Sequence, residues 1–300
     1  LNAMKFIQLS ETCYYFESPV NIGYIKSGES GMLIDAGLDR QAAKKVISQL
    51  EKHELPLTHL FITHAHADHY GGASYIQEQL AVYTFASKEE AAILRNPVLE
   101  PLYLFHGALP LPELRNKFLE GPPIAVDEEV TEGTYWFGEQ SFECIALPGH
   151  SLMQMGVLSD GILYAADSYF GAEQLFKHKI PYIIDAEETL HSLNRLLELN
   201  AAGAVPGHGA FEASFKDTVK VNASYHLKVL DSLEKKLTPS GIPFDEVIQS
   251  MCEEYDVAAE RLSSWLLYRT AITAYLTKLI KEEKVEFIIR DAMLFVRSKN

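Results

Sequence analysis

The chain has 300 residues, 47% hydrophobic and 22% charged, a globular composition that excludes a disordered or collagen-like protein. Its formal net charge of -15, most of it carried before residue 211, argues against nucleic acid or an anionic membrane as a general partner. Three widely spaced cysteines, Cys13, Cys144 and Cys252, oppose a disulfide framework and point to a reducing, cytoplasmic compartment.

No apolar run approaches the ~20 residues of a membrane span, and the start lacks the order of a signal peptide. Leu1–Ala3 before Met4 are expected to be an added remnant and are left out of the fold reasoning. From Tyr14 to Ile34, β-rich runs broken at Ser18-Pro19 and at Ser27–Gly31 predict antiparallel hairpins. Asp39 then N-caps a helix to Lys52, Leu60–Thr63 is a short buried strand, and a His-rich loop leads into a helix from Tyr70 to Gln79. A strand Ala81–Phe85 and a helix opening near Ser87, with Glu89 and Glu90 in its first turn, complete an α/β half.

Residues 96–123 hold Pro97, Pro101, Pro110, Pro112, Pro122 and Pro123 among Leu, Tyr and Phe, which predicts an ordered insert without regular elements. Its Tyr103, Leu104, Phe105, Leu109, Leu111 and Phe118 are expected to cover a cleft, with Tyr103 and Phe105 contacting substrate, or else to pack against a neighbouring subunit. Sheet returns from Val130 to Ala165, with Asp160-Gly161 as a hairpin turn. A helix at 185–199 and a strand end at Ala204–Pro206 follow. Beyond Phe211 the chain predicts three helices and a terminal β-pair, a winged-helix-like annex. Residues 4–211 thus form a catalytic unit and 212–300 an annex. Its helix over 257–283, with Trp265, Leu266, Tyr275 and Leu279, is too apolar to stand free, so it packs on its own chain or in a homodimer.

The chemistry concentrates in His64-Ala65-His66-Ala67-Asp68-His69, directly after a predicted strand. In extended chain, His64 and His66 point to one side and clasp one cation. Asp68 and His69 turn the other way and offer a mixed pair to a second. Such donors suit two zinc ions per chain, with iron or manganese as alternatives. Further ligands are expected at other strand ends beside small residues, and His150, Asp167 and His208 each stand in such a place. His106 and His178 lie in irregular chain that could approach the same cleft, whereas His53, His59, His191 and His226 read as surface or core residues.

Over residues 5–210 these motifs resemble the metallo-β-lactamase fold superfamily, with His64, His66, Asp68 and His69 matching its H-x-H-x-D-H motif and His150, Asp167 and His208 its later ligands. The resemblance implies an αββα sandwich with metals at one edge. It also implies His64, His66 and His150 on one metal, Asp68, His69 and His208 on the other, Asp167 bridging, and Asp35 supporting the site from behind. The activity implied is hydrolysis of a small-molecule ester, lactone or thioester by a metal-bridging hydroxide, with Asp68 relaying a proton and Ser168 or Tyr169 donating to substrate. Ser168–Glu173 replaces the Cys-Gly-Arg stretch of the glyoxalase II branch, which withdraws support for glutathione but not for thioesters. Lactonases share a Tyr close after the bridging Asp. Two alternatives stay open: a phosphodiester hydrolase acting on RNA, suggested by the annex and opposed by the acidity, and an iron-loaded oxidoreductase of the same fold.

Overall fold

The computed structural model describes residues 4–299. Lys5–Gln8, Cys13–Glu17, Ile22–Ser27 and Ser30–Ile34 form consecutive antiparallel pairs, and His59–Phe61, Tyr83–Ser87 and Glu128–Val130 add in parallel to complete a seven-stranded sheet. The helices Arg40–Lys52, Ala73–Gln79 and Lys88–Arg95 make the crossovers between those parallel strands. Asp39 caps the first helix, accepting from the backbone N–H groups of Gln41 and Ala42 at 3.0 and 3.2 Å. A second sheet runs in the order Gly203–Pro206, Ile162–Ala166, Met155–Ser159, Gln140–Ala146, Gly133–Phe137. Its Asp160-Gly161 turn has φ of 47° and 73°, the mirror-image geometry that a two-residue hairpin favours.

Alternation of side chains stacks these layers. Met32 and Ile34 face the second sheet, where they join Phe61, Phe142, Val157 and Tyr164, while Leu33 between them meets Val46 and Leu50 of the outer helix. On the far side Leu163 and Ala165 pack on Leu193 and Leu196 of the helix Ala186–Glu198. The result is an αββα sandwich. The helix Phe215–Lys236 serves two cores: Phe215 and Val219 join that outer layer, while Val229, Leu230 and Leu233 belong to the annex. The annex continues through Ile242–Pro243, Phe244–Glu254, Leu262–Lys281 and the antiparallel pair Val285–Arg290 and Met293–Ser298. Ile272, Tyr275, Leu276 and Leu279 are buried within this one chain, so no second copy is required to cover them.

Two expectations about local structure are corrected. The helix expected from Tyr70 to Gln79 is split into Ala67–Tyr70 and Ala73–Gln79, because Gly72 N–H leaves the helical ladder and donates to Gly37 O at 2.9 Å. The insert does carry regular elements, a helix at Leu99–Leu104 and a 3-10 turn at Pro112–Leu114. Pro101 is tolerated because it sits in the first helical turn, where the backbone N–H has no intrahelical partner. Leu104, Leu114 and Leu119 of the insert are buried against Leu266 of the annex. Among the described residues no helix is long and apolar enough to cross a membrane.

Replacing Leu266 by Ala removes the side chain on which the insert closes. A loss of about 2–5 kcal/mol in unfolding free energy is expected, together with faster proteolysis of the 96–123 segment. Unchanged urea denaturation and unchanged cleavage would show that the insert is held by other contacts.

Candidate metal centre

The candidate ligands sit where strands end. His64–His69 follow His59–Phe61, His150 follows Gln140–Ala146, Asp167 follows Ile162–Ala166 and His208 follows Gly203–Pro206. The donor atoms fall into three groups, His64 with His66 and His150, His64 with His69 and Asp167, and Asp68 with His69 and His208, all atoms of a group lying within 4.8 Å of one another. Asp167 lies between them, 3.4 Å from His69 Nε2 through Oδ1 and 3.4 Å from both His150 Nε2 and His208 Nε2 through Oδ2. His150 Nε2 and His66 Nδ1 are 2.9 Å apart.

Outer partners fix which ring nitrogen four of the five histidines present. His69 Nδ1 donates to Asp35 Oδ2 at 2.8 Å, His150 Nδ1 to Tyr182 O at 3.0 Å and His208 Nδ1 to Pro19 O at 2.8 Å. Thr63 Oγ1 donates to Asp35, so its lone pair is left to accept from His64 Nδ1 at 3.0 Å. Four Nε2 lone pairs therefore turn inward. Asp35 reaches this position through a left-handed backbone, φ 66°, a conformation Asp tolerates better than most residues. Gly207 is dictated by space, since a Cβ there would collide with Asp167 Oδ1.

His64 Nε2, His69 Nε2 and Asp167 Oδ1 are buried and have no hydrogen-bond partner. Buried polar atoms are rarely left unpaired. Lone pairs from imidazole and carboxylate, all aimed at one space, are the donor set that first-row divalent cations take, so the residues fit a metal. Electrostatics divide the site. Burial, with neighbouring imidazoles adding to it, holds His64 well below the usual range, and burial brings His66 down to about 4 and His150 to about 3. Burial also opposes charge at His208 and His69, yet Asp167 and Asp68 outweigh it, lifting His208 to about 10 and His69 well up. Against the same burial, His69 and His208 hold Asp68 at about 2 and Asp167 well below the carboxylate range.

A further carboxylate was not legible in the sequence. Glu90, which there looks like an acid at a helix start, is buried and accepts from Ala65 N at 2.8 Å, Ser151 Oγ at 2.7 Å and Met153 N at 2.9 Å. It ties the His64–His69 loop to the loop of His150. Its pKa is raised, because burial outweighs those three donors.

Above the ligands opens a cleft of about 250 Å³, walled by Phe118 and Leu119 from the insert, Phe170, His178 and Tyr182 from the chain after Asp167, and Leu267 from the annex. Glu100 also reaches it, its pKa well raised by burial and by Glu90 and Asp68. Several sequence expectations fail here. Tyr103 is 46% exposed and bonded to Glu100, and Phe105 packs beside Leu114 and Leu266, so neither lines the cleft. Tyr169, expected to donate to substrate, is buried with Leu163, Leu193 and Phe215 behind the sheet. Ser168 turns its hydroxyl back to Ala165 O at 2.7 Å and borders only a small cavity beneath Asp167. His178 does line the cleft, whereas His106 meets Arg269, which donates to its Nδ1 at 3.2 Å.

A family model described as the Metallo-beta-lactamase superfamily matches residues 15–208, and the chain belongs to that superfamily, whose members are generally hydrolytic metalloenzymes. Among curated proteins it is 23% identical over 271 residues to a lactamase-like protein, adaB, of Aspergillus niger, covering 84% of this chain and 74% of that one. It is 27% identical over 167 residues to a hydroxyacylglutathione hydrolase of Vibrio cholerae, covering 55% of this chain, and it spans about half (52%) of that relative's length. An atrochrysone carboxyl ACP thioesterase of Aspergillus fumigatus is 22% identical over 204 residues, covering 67% of this chain and 54% of its own. Among solved structures, a metallo-β-lactamase family protein from Thermus thermophilus superposes with a TM-score of 0.76 at 19% identity, covering 97% of this chain and 100% of its own, which shows the shared fold.

Glu90→Ala should loosen both ligand loops without removing a ligand, weakening metal affinity by about 10–100-fold. Titration of the metal-free protein with zinc against a competing chelator measures this. Unaltered affinity would mean that the two loops hold their places without Glu90.

Proposed function

We propose that the chain is a dinuclear metal hydrolase, zinc its metal, that cleaves a small-molecule thioester, ester or lactone. The observation that carries this reading is the set of partnerless lone pairs on His64, His69 and Asp167, the last of which borders the cleft. His64, His66 and His150 would hold one cation, Asp68, His69 and His208 the other, and Asp167 both. When bound, such a pair supplies a water activated near neutral pH and a Lewis acid for the carbonyl oxygen.

The chain's own residues do the rest. Phe118, Leu119, Phe170 and Leu267 exclude water and receive the acyl chain. Asp68, with 34% of its side chain exposed the most accessible carboxylate of the set, is placed to take a proton on Oδ2 and release it to the cleft. None of the residues lining the cleft is Lys or Arg, while Asp68 and Glu100 put carboxyl groups there, which disfavours a phosphodiester substrate. The hydroxyacylglutathione hydrolase and the ACP thioesterase among the relatives favour a thioester carbonyl over a lactone. Three cysteines without disulfides suit a cytoplasmic setting.

Metal-replete protein should carry two transition-metal ions per chain by plasma mass spectrometry and hydrolyse neutral acyl thioesters. Asp167→Ala should lower both occupancy and turnover by more than the about 10–100-fold that loss of an outer partner costs. A reproducible content of one ion or fewer would refute the dinuclear reading. Two bound ions without turnover of any thioester, ester or lactone would refute the hydrolase reading.

A further inference from the structure

Glu100 stands in the cleft without belonging to any of the candidate ligand groups. The insert helix Leu99–Leu104 delivers it there, buried to 4% exposure, together with its i+4 neighbour Leu104, which faces the same way into the insert core. One carboxyl oxygen, Oε2, accepts from the Tyr103 hydroxyl. The other, Oε1, makes no hydrogen bond within the chain, and His66 Nε2 stands 3.7 Å from it, beyond hydrogen-bonding reach. Phe118, Leu119 and Leu267 line the same cleft and offer no donor, and neither Tyr182 nor His178, which also line it, makes a hydrogen bond to Oε1. Once a bound molecule covers this oxygen and displaces water from it, leaving it without a donor is unfavourable.

Resting on the hydrolase reading above, we infer that Glu100 is a specificity-determining residue that selects acyl groups carrying a hydrogen-bond donor, a hydroxyl, amide N–H or ammonium, near the scissile carbonyl. The position suits this role. His66 directs Nδ1 toward His150 and Nε2 toward Glu100, so Glu100 lies one imidazole ring away from the ligand atoms, within reach of a substituent a few bonds from a carbonyl held over them. An unsubstituted alkyl chain strips Oε1 of water and returns no partner, whereas a donor-bearing chain satisfies it. Sites built around a buried polar group reject analogues that lack its partner far more strongly than apolar pockets reject a missing methylene. Whether Glu100 is ionised or protonated, an oxygen that can accept remains. Acyl groups bearing a carboxylate or phosphate meet Glu100 and Asp68 with no Lys or Arg in the lining, and are rejected.

Matched hydroxamates, which bind metal centres without being turned over as acyl donors, separate binding from catalysis. Calorimetry on the metal-replete protein should show 3-hydroxybutyro- or 3-aminobutyrohydroxamate binding at least about tenfold more tightly than butyrohydroxamate. The corresponding N-acetylcysteamine thioesters should show the same order in kcat/KM. Glu100→Leu should bring the ratios to within about twofold of unity with metal content unchanged, and the isosteric Glu100→Gln, which keeps an acceptor oxygen, should keep the hydroxyl preference. The comparison of the hydroxyl and ammonium arms tells which donor the site takes. Equal binding of all three probes by the wild type, or a preference that survives in Glu100→Leu, overturns the inference and leaves the hydrolase reading standing. Loss of metal in both variants also overturns it and makes Glu100 a positioning residue for His66. A wild type without two ions and without hydroxamate binding fails at the hydrolase reading, and this inference falls with it.

Discussion

Seven imidazole and carboxylate side chains have to be held facing one another, lone pair toward lone pair, and nearly every irregular feature of the sandwich serves that constraint. Such groups would swing apart or seek water if left free. They are held by what lies behind them: Asp35 on His69 and Thr63, Thr63 on His64, and the carbonyls of Tyr182 and Pro19 on His150 and His208. Gln154 Oε1 accepts from Asp167 N at 3.2 Å and fixes the turn that presents the central carboxylate. Each outer bond removes a ring rotation and sets a tautomer, so the inner faces are organised before any cation arrives.

The same constraint links the site to distant parts of the chain. Asn222, on the helix shared by the two cores, accepts from Phe170 N at 3.0 Å and donates to Phe170 O at 2.8 Å, pinning one cleft wall to the annex. Leu266 and Leu267 are neighbours with different duties, the first buried with the insert and the second lining the cleft. Insert and annex therefore meet over the ligands, and the shape of the cleft depends on their packing together rather than on either alone.

How much of this could be read from the sequence follows from how local each signal is. The run His64–His69 is dense enough to read by itself, and His150, Asp167 and His208 gain meaning from their common place at strand ends, where the structure does bring them together. Asp35 was legible only through the family resemblance. Glu90 and Glu100 were not, because an acid at a helix start or in an irregular Pro-rich segment looks solvated, and only tertiary packing shows that these two point inward. Tyr169 misled because proximity in sequence to Asp167 is undone by the turn at Ser168, which sends the next side chain through to the far face of the sheet. The insert does reach over the cleft, as its apolar side chains led one to expect, but through other residues than Tyr103 and Phe105. Its large aromatics Tyr103 and Phe105 drew attention, but helical spacing turns Glu100 inward, and Phe118 and Leu119 make the wall.

Anomalous diffraction from crystals of zinc-replete protein tests the central claim most directly. Two peaks are predicted on either side of the Asp167 carboxylate, one among His64, His66 and His150 and the other among Asp68, His69 and His208. A single peak, or zinc bound only outside the cleft, would contradict it.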